Sequence, residues 1–117
     1  DHFKAVNDRF GHAGGDTILH EIAKLVQKSL RNTDILARWG GEEFIIISTE
    51  TSLQNAAIAA ERLRASIEKH IFSKSIKITA SFGLADLDNE DSADSLLLRA
   101  DKMLYLSKTN GRNKVSG

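Results

Sequence analysis

Two carboxylates beside two glycines are the residues of this chain best suited to chemistry. Trp39-Gly40-Gly41-Glu42-Glu43-Phe44 lies between the alternating segment Asp34 to Arg38 and the apolar run Phe44-Ile45-Ile46-Ile47. Strand-like runs joined by Gly-Gly read as a hairpin whose turn tolerates positive φ. A turn without side chains lets a ligand approach the backbone closely, and the adjoining carboxylates could hold a divalent cation. The same residues would serve equally in a plain surface hairpin with solvated glutamates. Other chemical patterns fail on spacing. The acidic stretch that begins Asp86, Asp88, Glu90 has Asp91 where a calcium loop turns on glycine, and Leu97 where it needs a bidentate glutamate. His20-Glu21 opens a zinc-protease pattern that Lys24 breaks. Neither GxxxxGK nor GxGxxG occurs, and the four histidines have no ligand spacing.

The elements that must position the turn follow from periodicity. Phe3, Val6 and Phe10 predict a short helix, broken by Gly11-His12-Ala13-Gly14-Gly15. Asp16 then opens a longer helix as its N-cap, with Ile18, Leu19, Ile22, Leu25, Val26 and Leu30 on one face, ending near Arg31-Asn32-Thr33. After the hairpin, whose second strand is apolar at every position and so expected to be buried on both faces, residues 52–69 carry an apolar stripe and predict a helix. Ile76, Ile78, Ala80 and Phe82 alternate with polar residues and predict a one-sided strand stopping at Gly83. Residues 93–109 predict the last helix, terminated near Asn110-Gly111, and Val115 a short edge strand. The order α-α-β-β-α-β-α describes a mixed sheet backed by helices.

The 117 residues suffice for one domain with a modest core. Sixteen basic against 16 acidic residues leave no net charge, so a nucleic-acid coat is not indicated, although a small phosphate ligand needs only two or three local cations. The lack of cysteine excludes disulfides and thiolate sites. No apolar run approaches the ~18 residues of a membrane span.

Five stretches, in order, resemble the diguanylate cyclases of the GGDEF family. Asp1-His2-Phe3-Lys4-Ala5-Val6-Asn7-Asp8 is similar to that family's D-x-F-K-x-(I/V)-N-D, and Phe10 to Asp16 to its G-H-x-x-G-D loop. Gly40 to Phe44 resembles the signature itself, and Ala80-Ser81-Phe82-Gly83 the S-x-G strand end. Arg99-Ala100-Asp101, Leu104-Tyr105, Lys108 and Gly111-Arg112-Asn113 resemble R-A-D-x-x-L-Y-x-x-K-x-x-G-R-N. The resemblance covers nearly the whole chain. It implies a single α/β (α+β) domain over residues 1–117 with a palm-like nucleotidyl-cyclase fold, its mixed, mostly antiparallel central sheet flanked by helices. It also implies that two such domains, each holding one GTP, face each other as a homodimer and make cyclic di-GMP with release of two pyrophosphates. Mg2+ or Mn2+ is the implied cofactor, cyclic di-GMP both product and inhibitor, and an upstream sensor domain the usual neighbour. The implied location is cytoplasmic, whether or not the parent protein is anchored at a membrane.

On this resemblance Gly40 and Gly41 let the nucleotide lie against the turn. Glu42 binds the metal and helps activate the attacking hydroxyl; Glu43 is the second carboxylate of the catalytic turn, and strand alternation would point it to the other face. Asn7 and Asp16 match the pair that reads guanine, a carboxylate suiting the N1-H and N2 donors and an amide supplying a donor. Phe3 and Lys4 fall where backbone amides meet the β- and γ-phosphates. Lys108 and Arg112 match the phosphate contacts, although cations at a helix C-terminus also complement its dipole. Arg31 and Asp34 resemble the R-x-x-D inhibitory site, with Arg62 as a second arginine. The alternative is a binding and dimerisation module that holds GTP or cyclic di-GMP without turnover. The family's opening motif starts two residues before Asp1, with a further metal-binding aspartate at the end of a central strand. The expectation is therefore that the chain as it stands lacks that first strand and has little activity.

Overall fold

A single glycine bends the longest helix. In the computed structural model, which describes residues 1–117, α1 (Phe3–Ser29) runs as two helical arms joined at Gly11. Gly11 has φ 76° and ψ 171°, a left-handed-side conformation that costs a side-chain-bearing residue strain. The break is thus confined to one residue instead of the expected five, because Gly14 and Gly15 accept helical geometry. Asp16 lies inside the second arm and is not its N-cap.

The chain divides into two units. The first comprises His2–Glu50 and Lys69–Ile78, and its buried apolar residues are Val6, Ile18, Leu19, Val26, Phe72 and Ile78. β1 (Ile35–Arg38) and β2 (Phe44–Ile47) pair antiparallel with Ile35 opposite Ile47 and Arg38 opposite Phe44. Leu36 and Phe44 line a cavity of about 200 Å³ with Leu19, His20, Ala23 and Arg38. On the opposite face Ile35 and Ile47 remain 54% and 51% exposed. The expectation that β2 is buried on both faces is therefore not met. β2 has one strand neighbour, and its apolar composition exceeds what that neighbour and α1 cover. Glu21 ties the 70s loop to α1, accepting from the Ser73 amide at 3.2 Å and its hydroxyl at 2.6 Å.

The second unit comprises Asp1, Thr51–Glu68 and Thr79–Gly117. Ser52 caps α2 (Leu53–Lys69), its hydroxyl accepting from the Asn55 amide, and Ala60, Leu63 and Ile67 are the buried stripe. β3 (Phe82–Gly83) and β4 (Val115–Ser116) pair in parallel against α3 (Ala93–Thr109). The strand expected over 76–82 is reduced to its last residue plus Gly83. Alternation predicts which side chains turn inward, but a ladder also needs a partner, and β4 reaches only that end. The Thr79 and Ser81 hydroxyls donate to the Asp1 carboxylate at 2.9 and 2.7 Å, while the Asp1 amine donates to the Thr79 carbonyl. Instead of the one mixed, mostly antiparallel sheet expected, the strands form two separate ladders, β1-β2 antiparallel and β3-β4 parallel.

α3 matches its predicted bounds, and its termini show why. Ser92 and Ser95 form a reciprocal capping box. Gly111 (φ 112°) continues past the C-cap Asn110, and the Arg112 amide returns to the Ser107 carbonyl at 2.9 Å, a Schellman closure. Ser107 is fully buried; its hydroxyl must donate to the Phe82 carbonyl (2.8 Å), which can only accept, and so accepts from Ser116 (2.7 Å).

Asp91 anchors the start of this helix. It takes hydrogen bonds from Arg99, the Asp88 amide and the Ser95 hydroxyl, and the Arg99 guanidinium above all lowers its carboxyl from 3.8 to about 2. A carboxyl whose folded value is depressed contributes stability above its unfolded value and loses it as pH falls through the folded one. The thermal midpoint of wild type minus that of Asp91→Asn is therefore expected to be constant above about pH 5 and to shrink as pH falls through 3.8 toward about 2. A difference unchanged down to pH 2 would remove Asp91 from this role. No helix is long and apolar enough to cross a membrane.

Candidate functional site

The turn between β1 and β2 is a five-residue loop, Trp39 to Glu43, closed by the Trp39 amide donating to the Glu43 carbonyl at 2.8 Å. Neither Gly40 nor Gly41 has a positive φ, so the turn type expected from Gly-Gly is not the one formed. A Cβ on either glycine would meet nothing within 4 Å. Neither backbone strain nor packing within the chain therefore calls for glycine here, and the effect of having two is open room above the turn. Glu42 and Glu43 both lie in the loop ahead of β2 and both are exposed. Strand alternation thus does not separate them, contrary to the expectation that Glu43 faces the other way.

Arg38 holds this loop from below. Its guanidinium donates to the Gly41 carbonyl through Nε (3.0 Å) and Nη2 (2.5 Å), and through Nε to Gly40 at 3.3 Å. With its carbonyls drawn toward Arg38, the loop is fixed by a side chain that the sequence reading passed over. The available signal was a lone cation closing the strand Ile35-Leu36-Ala37-Arg38 next to the two glycines.

The bend at Gly11 brings the other predicted residues of this unit together. Phe3 and Lys4 begin α1, where amide groups have no partner one turn earlier, and the N-cap His2 supplies no side-chain bond. Anions are favoured at such an end. Asn7 and Phe3 lie directly over Gly15, next to Asp16: a Cβ at Gly15 would stand 1.9 Å from Asn7 Oδ1 and 3.0 Å from Phe3 Cζ. Asn7 is half-buried and Asp16 and Lys4 exposed.

Lys108 and Arg112 belong to the second unit, one near the end of α3 and the other at φ 64° just beyond it. The loop bearing Arg112 is pinned by its neighbour Asn113 (φ 50°). The Asn113 amide reaches Asp1 Oδ2 (3.1 Å) and Ser81 Oγ (3.2 Å), and its side chain accepts from Arg64 Nη1 (2.9 Å) and donates to Glu68. Arg64 is itself paired with Glu61 and Glu68. The sequence reading selected Arg62, which is exposed on α2, and missed Arg64 two residues on. Glutamates at i−3 and i+4 of Arg64 were the signal.

Arg31 and Asp34 do come together. The Arg31 guanidinium and amide both donate to the Asp34 carboxylate, at 2.8 Å for Nη2 and 2.8 Å for the amide, and Nη2 also reaches the Thr49 carbonyl at 2.9 Å. Arg31 holds the Asp34 carboxyl below its usual range, so Asp34 is ionised.

No three acidic or histidine side chains are placed so that together they could hold a metal ion. A protein-only cage for a metal is therefore not what these residues offer. Mg2+ keeps several waters and takes one or two carboxylates plus substrate phosphates, and Glu42 beside an open turn fits that mode.

An α+β unit with a carboxylate-bearing Gly-Gly hairpin defines the class, and comparison with known proteins gives the family. The family model described as "Diguanylate cyclase, GGDEF domain" matches residues 1–114. The chain belongs to that family. It is 46% identical over 120 residues to Diguanylate cyclase A of Treponema denticola, covering 99% of this chain and 32% of that protein. Among solved structures, the coiled coil and GGDEF domain of DgcB from Caulobacter crescentus in complex with c-di-GMP superposes with a TM-score of 0.93 at 32% identity, covering 99% of this chain and 64% of that one. The active GGEEF domain of a diguanylate cyclase from Vibrio cholerae gives 0.91 at 35% identity, covering 99% and 76%. The chain thus spans between 18% and 36% of the length of curated relatives it matches.

Proposed function

We propose that this domain condenses two GTP molecules into cyclic di-GMP and two pyrophosphates. The observation that carries the reading is the turn: two glycines that the chain's own backbone and packing do not require, next to Glu42, in a family of diguanylate cyclases. In each of two equivalent steps the 3′-oxygen of one GTP forms a bond to the α-phosphorus of the other. The bond from that phosphorus to the β-phosphate bridging oxygen breaks, pyrophosphate leaves, and the hydroxyl proton passes to a base. A bound divalent cation would neutralise charge on the transferring phosphoryl group.

The chain's own residues supply positioning. Asn7 and Asp16 select guanine, the first amides of α1 at Phe3 and Lys4 take the terminal phosphates, and Lys108 and Arg112 add cationic contacts. Gly40 and Gly41 admit the nucleotide, and Glu42 is the carboxylate that would hold the metal and help activate the hydroxyl, with Glu43 beside it in sequence. Alignment of the two reactants asks for two copies of the domain facing each other, since one copy holds one GTP. The test is Mg2+-dependent formation of cyclic di-GMP from GTP by the whole protein. Binding of GTP without any product would favour the non-turnover module instead.

Arg31 and Asp34 form the product-inhibition site in this reading, with Arg62 from α2 as a second arginine. A guanidinium held by Asp34 and the Thr49 carbonyl is a group whose chemistry suits phosphate and the guanine edge. Arg31→Ala is expected to weaken cyclic di-GMP binding about 10- to 100-fold, the loss of one charge-assisted contact, and to leave the initial rate nearly unchanged. Equal cyclic di-GMP affinity in variant and wild type, read by calorimetry, counts against it.

A further inference from the structure

We infer that Gly15 is a specificity-positioning residue, whose missing side chain is what allows Asn7 to present its amide to the base. The inference rests on the reading of Asn7 as a guanine contact and adds the element that makes that contact possible.

Gly15 is buried in the second arm of α1, where helical φ and ψ suit any residue, so its backbone does not require glycine. Alanine is the better helix former at such a position. What excludes alanine is Asn7: the added Cβ would lie 1.9 Å from Asn7 Oδ1 and 3.0 Å from Asn7 Cγ. The next nearest atom, Phe3 Cζ at 3.0 Å, is the tip of a ring that gives by a few tenths of an ångström. No backbone atom is among the three nearest, so the conflict is with the free end of a side chain. The fold can relieve it cheaply by turning the Asn7 amide away, and that movement is the one recognition cannot accept. Asp16 follows in the chain, so the Gly15 surface sets the Asn7 amide relative to the carboxylate that reads the same base. Gly14 differs, because a Cβ there would meet the Phe10 Cβ at 2.7 Å and bears on packing alone.

The experiment compares GTP and ATP affinity by calorimetry in the whole protein, for wild type, Asn7→Ala, Gly15→Ala and the double variant. ATP carries a donor where GTP has the O6 acceptor, so a lost amide donor shows as lost preference. The GTP-over-ATP preference is expected to fall about tenfold in Gly15→Ala, equivalent to one hydrogen bond of ordinary strength, and by a similar factor in Asn7→Ala. In the double variant the second change should add nothing, because the atom the Cβ meets is gone. The thermal midpoint of Gly15→Ala should equal or exceed that of wild type. An unchanged preference in Gly15→Ala, with Asn7→Ala impaired, overturns the inference and leaves the reading of Asn7 standing. A preference that survives Asn7→Ala overturns that reading itself. A fall in midpoint of more than about 10 °C that the double variant does not recover also overturns the inference, since the conflict would then lie with the fold and not with Asn7.

Discussion

Replacing Glu42 with alanine in the whole protein is expected to lower Mg2+-dependent conversion of GTP into cyclic di-GMP by a factor of about 10³ or more. The size follows from what the residue faces. Glu42 is exposed in the Trp39–Glu43 loop and lies next to two glycines with open space above them. Mg2+ held as proposed would be shared between few carboxylates and the substrate phosphates, so losing one would leave charge at the phosphoryl group without its partner. The loss should fall on kcat more than on GTP binding, because the proposed reading gives recognition of the base to other residues, Asn7 and Asp16. Stability should change by no more than about 0.5 kcal/mol, as for other exposed surface positions. Glu42→Gln separates shape from charge and should be nearly as inactive. Glu43→Ala tests the neighbour: its backbone carbonyl, not its side chain, closes the loop through Trp39 and Gly40, so the loop survives the change. Turnover in Glu42→Ala within a factor of about 3 of wild type would overturn the assignment, on the scale where tenfold is 1.4 kcal/mol.

How much of this was legible beforehand differs from element to element for physical reasons. α3 could be bounded closely because periodicity, capping serines and a terminal glycine all act locally. The bend at Gly11 was legible as a break but not as a one-residue break, since sequence does not reveal which of three nearby glycines takes a positive φ. The strand over 76–82 illustrates the opposite case. Its alternation was plain, yet pairing is decided by what lies alongside, and only Phe82 and Gly83 have β4. At the candidate site, the residues read from motifs are those proposed to touch a ligand. The residues missed, Arg38 and Arg64, touch other protein groups: Arg38 the carbonyls of the turn, Arg64 the Asn113 side chain across 49 positions. Motifs point at ligand contacts, whereas support across long sequence separations leaves no local pattern.

The other large effect is on stability. Gly83→Ala is expected to cost about 3–5 kcal/mol, near the upper end for single substitutions, and to lower the thermal midpoint by on the order of 10–20 °C. At this position an added Cβ would stand 2.1 Å from the Leu104 amide nitrogen, 2.3 Å from the Ala100 carbonyl oxygen and 2.7 Å from Leu104 Cα. All three are backbone atoms in the middle of α3, so no rotamer change relieves the contact and the helix or the strand must move. Movement is costly because α3 is tied to the same strand pair from its buried side. Ser107 donates to the Phe82 carbonyl and accepts from Ser116, and opening the gap leaves those polar atoms without partners. The contrast with Gly40 and Gly41 is the point of the test. A Cβ at either of those meets nothing, so Gly41→Ala should leave the midpoint within about 2 °C while impairing nucleotide binding, whereas Gly83→Ala should unfold the domain first. In the proposed reading Lys108, one residue along α3 from Ser107, contacts phosphate, so a Gly83→Ala protein that remains folded should also show weaker GTP affinity. A Gly83→Ala protein with a wild-type midpoint would show that β3 does not rest on the α3 backbone as described.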